Sequence, residues 1–76
     1  MEKRIGFMTH ALHRCVERGL TTTEAEALIK TGLKLTPTEK NQWGVVRPYE
    51  NDGWRFIVFE TKASISVITA YRRDMV

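Results

Sequence analysis

His10, Arg14 and Arg18 recur at intervals of four. On a helix of 3.6 residues per turn that spacing stacks them in one row about 12 Å long. Cleavage of RNA without metal, with the 2′-hydroxyl as internal nucleophile, needs a proton acceptor, a donor to the leaving oxygen and cations against the phosphate. A histidine beside two arginines supplies those types. Imidazole titrates near neutral pH, and guanidinium stays charged and grips phosphate oxygens through parallel hydrogen bonds. The same row has a plainer reading, in which Arg14 and Arg18 pair with Glu17, Glu24 or Glu26 on a solvated face and His10 is a first-turn surface residue.

Other chemistry is poorly represented. His10 and His13 are three apart, but no Asp or Cys lies nearby in sequence to complete a metal site. The chain has no Gly-rich phosphate loop, no paired cysteines and no His-Glu-x-x-His run, so neither metal nor cofactor is expected. Cys15 is the only cysteine, which rules out an internal disulfide and suits a small core residue. A formal net charge of +3 and a pI near 9.4 permit a polyanionic partner if the cations gather on one face.

The elements that must position these groups follow from periodicity. The spacing predicts a first helix from Thr9, read as its N-cap, to Gly19, with Leu12, Cys15, Val16 and Leu20 as the buried stripe. A second helix opens within the threonines at 21–23, where Thr23 and Glu26 match a capping box, and Gly32 stops it. Ala25, Leu28 and Ile29 form its apolar side. A short strand over 33–35 and a loop then lead to a strand over 43–49, whose Pro48 points toward a sheet edge. Residues 50–53 read as a hairpin turn, and 54–59 as a central strand apolar on both faces. After a turn at Lys62 and Ala63, the last strand alternates Ile65, Val67, Thr69 and Tyr71 on one face with Ser64, Ser66, Ile68, Ala70 and Arg72 on the other.

Seventy-six residues make one domain, spanning 1–76, because so short a chain has no second core to bury. The expected class is α+β, with two N-terminal helices on a three- to four-stranded antiparallel sheet. No apolar run approaches the roughly 20 residues of a membrane helix. No secretory h-region follows the charged N-terminus, so the expected compartment is the cytoplasm.

Two blocks carry a resemblance. The run from Met8 to Leu20, Met-Thr-His-Ala-Leu-His-Arg-Cys-Val-Glu-Arg-Gly-Leu, resembles the Thr-x-His-Ala-x-x-Arg-x-x-x-Arg-Gly opening of a bacterial and phage domain-of-unknown-function family. The run Val67-Ile68-Thr69-Ala70-Tyr71-Arg72 is similar to that family's closing Val-Ile-Thr-x-Tyr strand. The family is similar in layout to the RelE, barnase and colicin nuclease toxins. The resemblance implies a RelE/barnase-like fold and a metal-independent endoribonuclease acting on tRNA or mRNA, with His10 as general acid or base. It further implies Arg14 and Arg18 as phosphate clamps, Thr69 and Tyr71 as positioning groups, and Arg72 as a backbone contact, with Arg55 extending the basic surface. Implied partners are RNA, a cognate antitoxin or immunity protein, and a second copy of the chain.

A rival class is a non-catalytic phage or mobile-element module that docks on a host protein, for which the many apolar strand residues offer a surface or an edge. Sequence-specific DNA binding lacks a recognition helix. The nuclease reading rests on one spatial requirement: the groups of the opening helix must share a cleft with the hydroxyls of the closing strand.

Overall fold

The computed structural model describes residues 4–34 and 44–73. Its elements run β1 (Arg4–Phe7), α1 (Thr9–Glu17), α2 (Thr22–Thr31), β2 (Leu33–Lys34), β3 (Val45–Asn51), β4 (Trp54–Glu60) and β5 (Ser64–Arg72). The strands form one sheet in the order β1-β5-β4-β3-β2. This is the expected α+β class, with two helices and a mostly antiparallel sheet.

The sheet differs from expectation at its start. A strand precedes the helices, and β1 pairs parallel to β5, in register from Arg4 with Ser64 to Phe7 with Val67. Four residues with a central glycine make a weak strand by propensity. They are held by the β5 ladder and by Ile5 and Phe7, which pack against the core. Parallel pairing requires a crossover between the two strands, and everything from α1 to β4 supplies it.

Both helices end where their residues dictate, with small shifts from the predicted caps. Met8 is the N-cap of α1 and Thr9 its first residue, with no side-chain cap bond. At its far end Gly19 has φ +75°, a left-handed conformation favoured by glycine. The amide of Gly19 donates to the Val16 carbonyl and that of Leu20 to the Cys15 carbonyl, the paired bonds of a Schellman cap. The buried positions of α1 are Ala11 and Cys15, and Leu20 packs against the core; of the expected stripe Cys15 and Leu20 are on the core side, whereas Ala11 takes a buried place and Val16 is 70% exposed. For α2 the capping box is Thr21 with Glu24, two residues earlier than expected: the Glu24 amide donates to Thr21 Oγ1 and the Thr21 amide to Glu24 Oε1. Those bonds to Thr21 hold the Glu24 carboxyl below its ordinary pKa.

The C-terminal end of α2 is fixed against β3. Asn51 Nδ2 donates to the Leu28 carbonyl at 3.0 Å and to Thr31 Oγ1 at 2.9 Å. Gly32 permits this approach, since a Cβ there would lie 2.7 Å from the Leu28 carbonyl and 2.9 Å from that of Glu50. Strand β2 makes two pairs, Leu33 with Glu50 and Lys34 with Tyr49, so Pro48 lies just past them. The expected contributions of Leu35 and Trp43 fall outside the described residues. Strands β3 and β4 join through Asp52 and Gly53, both at positive φ (49° and 82°), as a two-residue type I′ hairpin demands.

The core lies between the helices and one face of the sheet. Ala11, Cys15, Ala25 and Ile29 meet Tyr49, Trp54, Phe56, Val58, Ile65, Val67 and Ala70. Trp54 stacks on Phe56 with ring centroids 5.8 Å apart. Burial pushes the Cys15 thiol pKa up, as suits a packing residue rather than a nucleophile.

One part of this face is charged. Glu60 and Arg47 are both buried, with Arg47 Nε 3.5 Å from Glu60 Oε1, and the Tyr49 hydroxyl donates to the same carboxylate at 2.9 Å. Burial, and then the bond to Glu60, push the Tyr49 hydroxyl well above its ordinary pKa, so it remains a donor. Removing one partner of a buried ion pair strands the other's charge. Glu60→Ala is therefore expected to lower stability by about 3–5 kcal/mol, read from the shift in denaturant midpoint; a loss under about 1 kcal/mol would show that the pair behaves as a surface one.

Candidate functional site on the open sheet face

The sequence-predicted residues do not share one cleft. α1 sits on the core side of the sheet through Ala11 and Cys15, and His10, Arg14 and Arg18 lie exposed along it. Arg14 pairs loosely with Glu17 at 3.9 Å, as the solvated-face reading anticipates. Thr69 and Tyr71 project from the other side of the sheet.

The reason is a single irregularity. Strict alternation would put Thr69 and Tyr71 on the core face with Ile65 and Val67. Instead the β4–β5 ladder shifts register: Ile57 pairs with Thr69, but Val58 pairs with Val67. Ile68 is the extra residue of a β-bulge, and it inverts the facing of everything after it. Ala70 therefore joins Ile65 and Val67 in the core, while Thr69 and Tyr71 turn outward. Arg72 turns inward beside its partner Trp54, with its guanidinium carbon 5.7 Å from the ring centroid. Arg72, expected as a backbone contact, stands at the hairpin end of the core.

What the open face does gather is a second cluster. Reading across β5, β4 and β3, one row holds Tyr71, Arg55 and Glu50, the next Thr69, Ile57 and Pro48, and the next Ser66, Phe59 and Val46. Strand β1 adds Arg4 and Gly6, opposite Ser64 and Ser66. Val46 is 60% exposed, Tyr71 42% and Phe59 39%. Phe59 lies four residues along β4 from the Arg55 that pairs with Tyr71, which separates the two backbone positions by about 14 Å. A Cβ at Gly6 would meet nothing within 4 Å, so the floor there is flat.

The polar end of this face is organised around one carboxylate. Arg55 donates to Glu50 Oε2 through both Nε and Nη2, and Arg73 Nη1 stands 3.2 Å from Glu50 Oε1. The bond to Glu50, and next a bond to the Tyr71 hydroxyl, raise the Arg55 pKa. Arg55, Thr69 and Tyr71 are thus the sequence-predicted residues that the fold brings together. Glu50, Phe59 and Arg73 complete the set. Sequence reading missed Glu50 because it assigned that residue to the turn, and it took Phe59 as one more apolar residue of a central strand.

Charge distinguishes the two sides. On the helices Arg14, Arg18 and Lys30 are matched by Glu17, Glu24 and Glu26. On the open face, among the described residues, Arg4, Arg55 and Arg73 stand with Glu50 as their one carboxylate. Among the described residues no three His, Cys, Asp or Glu side chains gather as a metal group, and no helix is long and apolar enough to cross a membrane. Comparisons with protein-family models, with curated proteins and with solved structures find no match to this chain.

The inverted facing is directly measurable. With Cys15 buried, a thiol at position 69 (Thr69→Cys) is expected to react with a maleimide in the folded protein, whereas one at position 70 (Ala70→Cys) reacts only on unfolding. The opposite pattern would place the closing strand in unbroken alternation.

Proposed function

We propose that this chain binds single-stranded RNA on the open face of its sheet. The observation that carries the reading is the combination on that face of two exposed rings, Phe59 and Tyr71, with an excess of guanidinium groups. Single strands are held by such surfaces because every base has a π-face to stack and every phosphate a charge to pair. Ser64, Ser66 and Thr69 line β5 between the rings and Arg4, and their hydroxyls can bond sugar or phosphate oxygens in either direction. A spacing of about 14 Å gives each ring its own base rather than one base between two rings.

Transphosphorylation is a separate step, which the expectation assigned to His10, Arg14 and Arg18. Those groups stand on the helix side, away from Thr69 and Tyr71, and the open-face reading makes no use of them. A second reading, docking on a host protein, is favoured by one specific feature: Val46, Pro48, Ile57 and Phe59 form a continuous apolar strip across β3 and β4.

Fluorescence anisotropy with a labelled oligouridine at two salt concentrations separates these readings. Phe59→Ala and Tyr71→Ala are each expected to weaken binding by about 1–3 kcal/mol, the usual worth of one stacked base. His10→Ala and Arg14→Ala should leave it unchanged, and affinity should fall as salt rises. RNA affinity that is absent, or that tracks the helix row and ignores both rings, would overturn the proposal; in the protein-docking case Val46→Lys would abolish capture of the partner.

A further inference from the structure

The Glu50 carboxylate has unusual company for a strand residue: one arginine grips it through two nitrogens and a second approaches its other oxygen. Two guanidinium groups converging on one small anion form the geometry that binds a phosphate, whose oxygens accept the same parallel bonds. We propose that Arg55 and Arg73 are a phosphate clasp, held in the free protein by Glu50 as an internal stand-in for the ligand. This inference rests on the open face being an RNA-binding surface, and it names the regulation of that surface.

Several features of the fold support it. Glu50 and Arg55 are a register pair across β3 and β4, so their reach is set by backbone pairing rather than by flexible stems. The Glu50 side chain is 15% exposed, whereas those of Arg55 and Arg73 are 32% and 55% exposed, so the cations can be reached from solvent while the anion lies beneath them. Tyr71, the register partner of Arg55 across β4 and β5, puts a ring beside the clasp for the base attached to the bound phosphate. An incoming phosphate must compete with the carboxylate, which keeps affinity for short or weakly charged ligands low. A strand that also stacks on Phe59 supplies the additional interaction that displaces it.

The test is a double-mutant cycle on oligouridine binding. Glu50→Gln removes the competing charge while keeping shape, and it should tighten binding by about tenfold. It should also steepen the slope of log affinity against log salt by about 0.7, since the clasp engages one phosphate and each phosphate contact on a single strand contributes about that much. In an Arg73→Gln background the gain from Glu50→Gln should shrink markedly, because only one cation is left to release; a gain of equal size there would mean simple repulsion and would overturn the clasp. Glu50→Asp withdraws the same charge by one methylene and reads the same contest should the amide variant fail to fold, with tighter binding expected and equal or weaker binding against the proposal. Inorganic phosphate serves as an independent probe: it should raise the Tm of Glu50→Gln more than that of the wild-type chain. Phosphate stabilisation without RNA binding would retain the clasp and reject the RNA reading. RNA binding that Glu50→Gln and Glu50→Asp both leave unchanged would do the reverse.

Discussion

One inserted residue decides what this protein can present to a partner. The pleat of a strand allots side chains to two faces with period two, and only an unpaired residue can exchange the two sets. Ile68 does so in β5, midway between the part of the strand that pairs with β1 and the part that pairs with β4 beside the hairpin. Before it, Ile65 and Val67 close the core; after it, Ala70 closes the core and Thr69 and Tyr71 face outward. The small Ala70 is well chosen for a position beneath Phe56, its partner in register. Without the bulge, Tyr71 and Thr69 would contend for buried space on the core side, and Arg55 would keep Glu50 but lose Tyr71 as a neighbour on the open face.

The remainder of the architecture keeps both helices off that face. β1 leads directly into α1, with the Met8 amide still bonded to the Val67 carbonyl, so the helix is delivered to the core side as soon as the parallel ladder ends. The Schellman cap at Gly19 and the Thr21–Glu24 box turn the chain within a few residues into α2, whose C-terminus Asn51 then clamps to β3. Both helices are thereby committed to one side. The buried Glu60, Arg47 and Tyr49 group is compatible with this division because each charge is met by another within the core layer. Its net contribution to stability is small compared with the cost of breaking it.

Much of this was legible in the sequence. Helix positions, the Gly19 and Gly32 stops, the Asp-Gly hairpin and the central place of β4 follow from period, caps and turn chemistry. The buried place of Ala11 in α1 was missed because Val16 outranks it in hydropathy, although only a residue as small as alanine fits where the helix meets the sheet. β1 was missed because its burial depends on β5, sixty residues away in sequence, and a four-residue segment carries too little local signal. The bulge left no mark at all in composition. Val-Ile-Thr-Ala-Tyr reads as unbroken alternation, and only the competition between Ile68 and Ala70 for the core, settled by packing against Phe56, breaks it. The candidate site inherited that error: Thr69 and Tyr71 were allotted to a cleft with His10 that the facing does not allow, whereas the fold sets them beside Arg55.

The helix row, chemically the more suggestive pattern, stands in a different setting from the cluster on the sheet. His10, Arg14 and Arg18 lie exposed along α1, and an ion pair with a phosphodiester on so solvated a surface is worth little. On the sheet, side chains stand about 4.8 Å apart across strands, close enough that Tyr71, Arg55 and Glu50 constrain one another and that rings and cations can act on the same ligand. Charge adds to this difference. Carboxylates one turn away match the helix cations, so the helix field largely cancels, whereas the open face holds its surplus and balances it only partly through Glu50. On the proposed reading, a field of that sign would draw a polyanion toward the sheet side, where Phe59 and Tyr71 stand exposed.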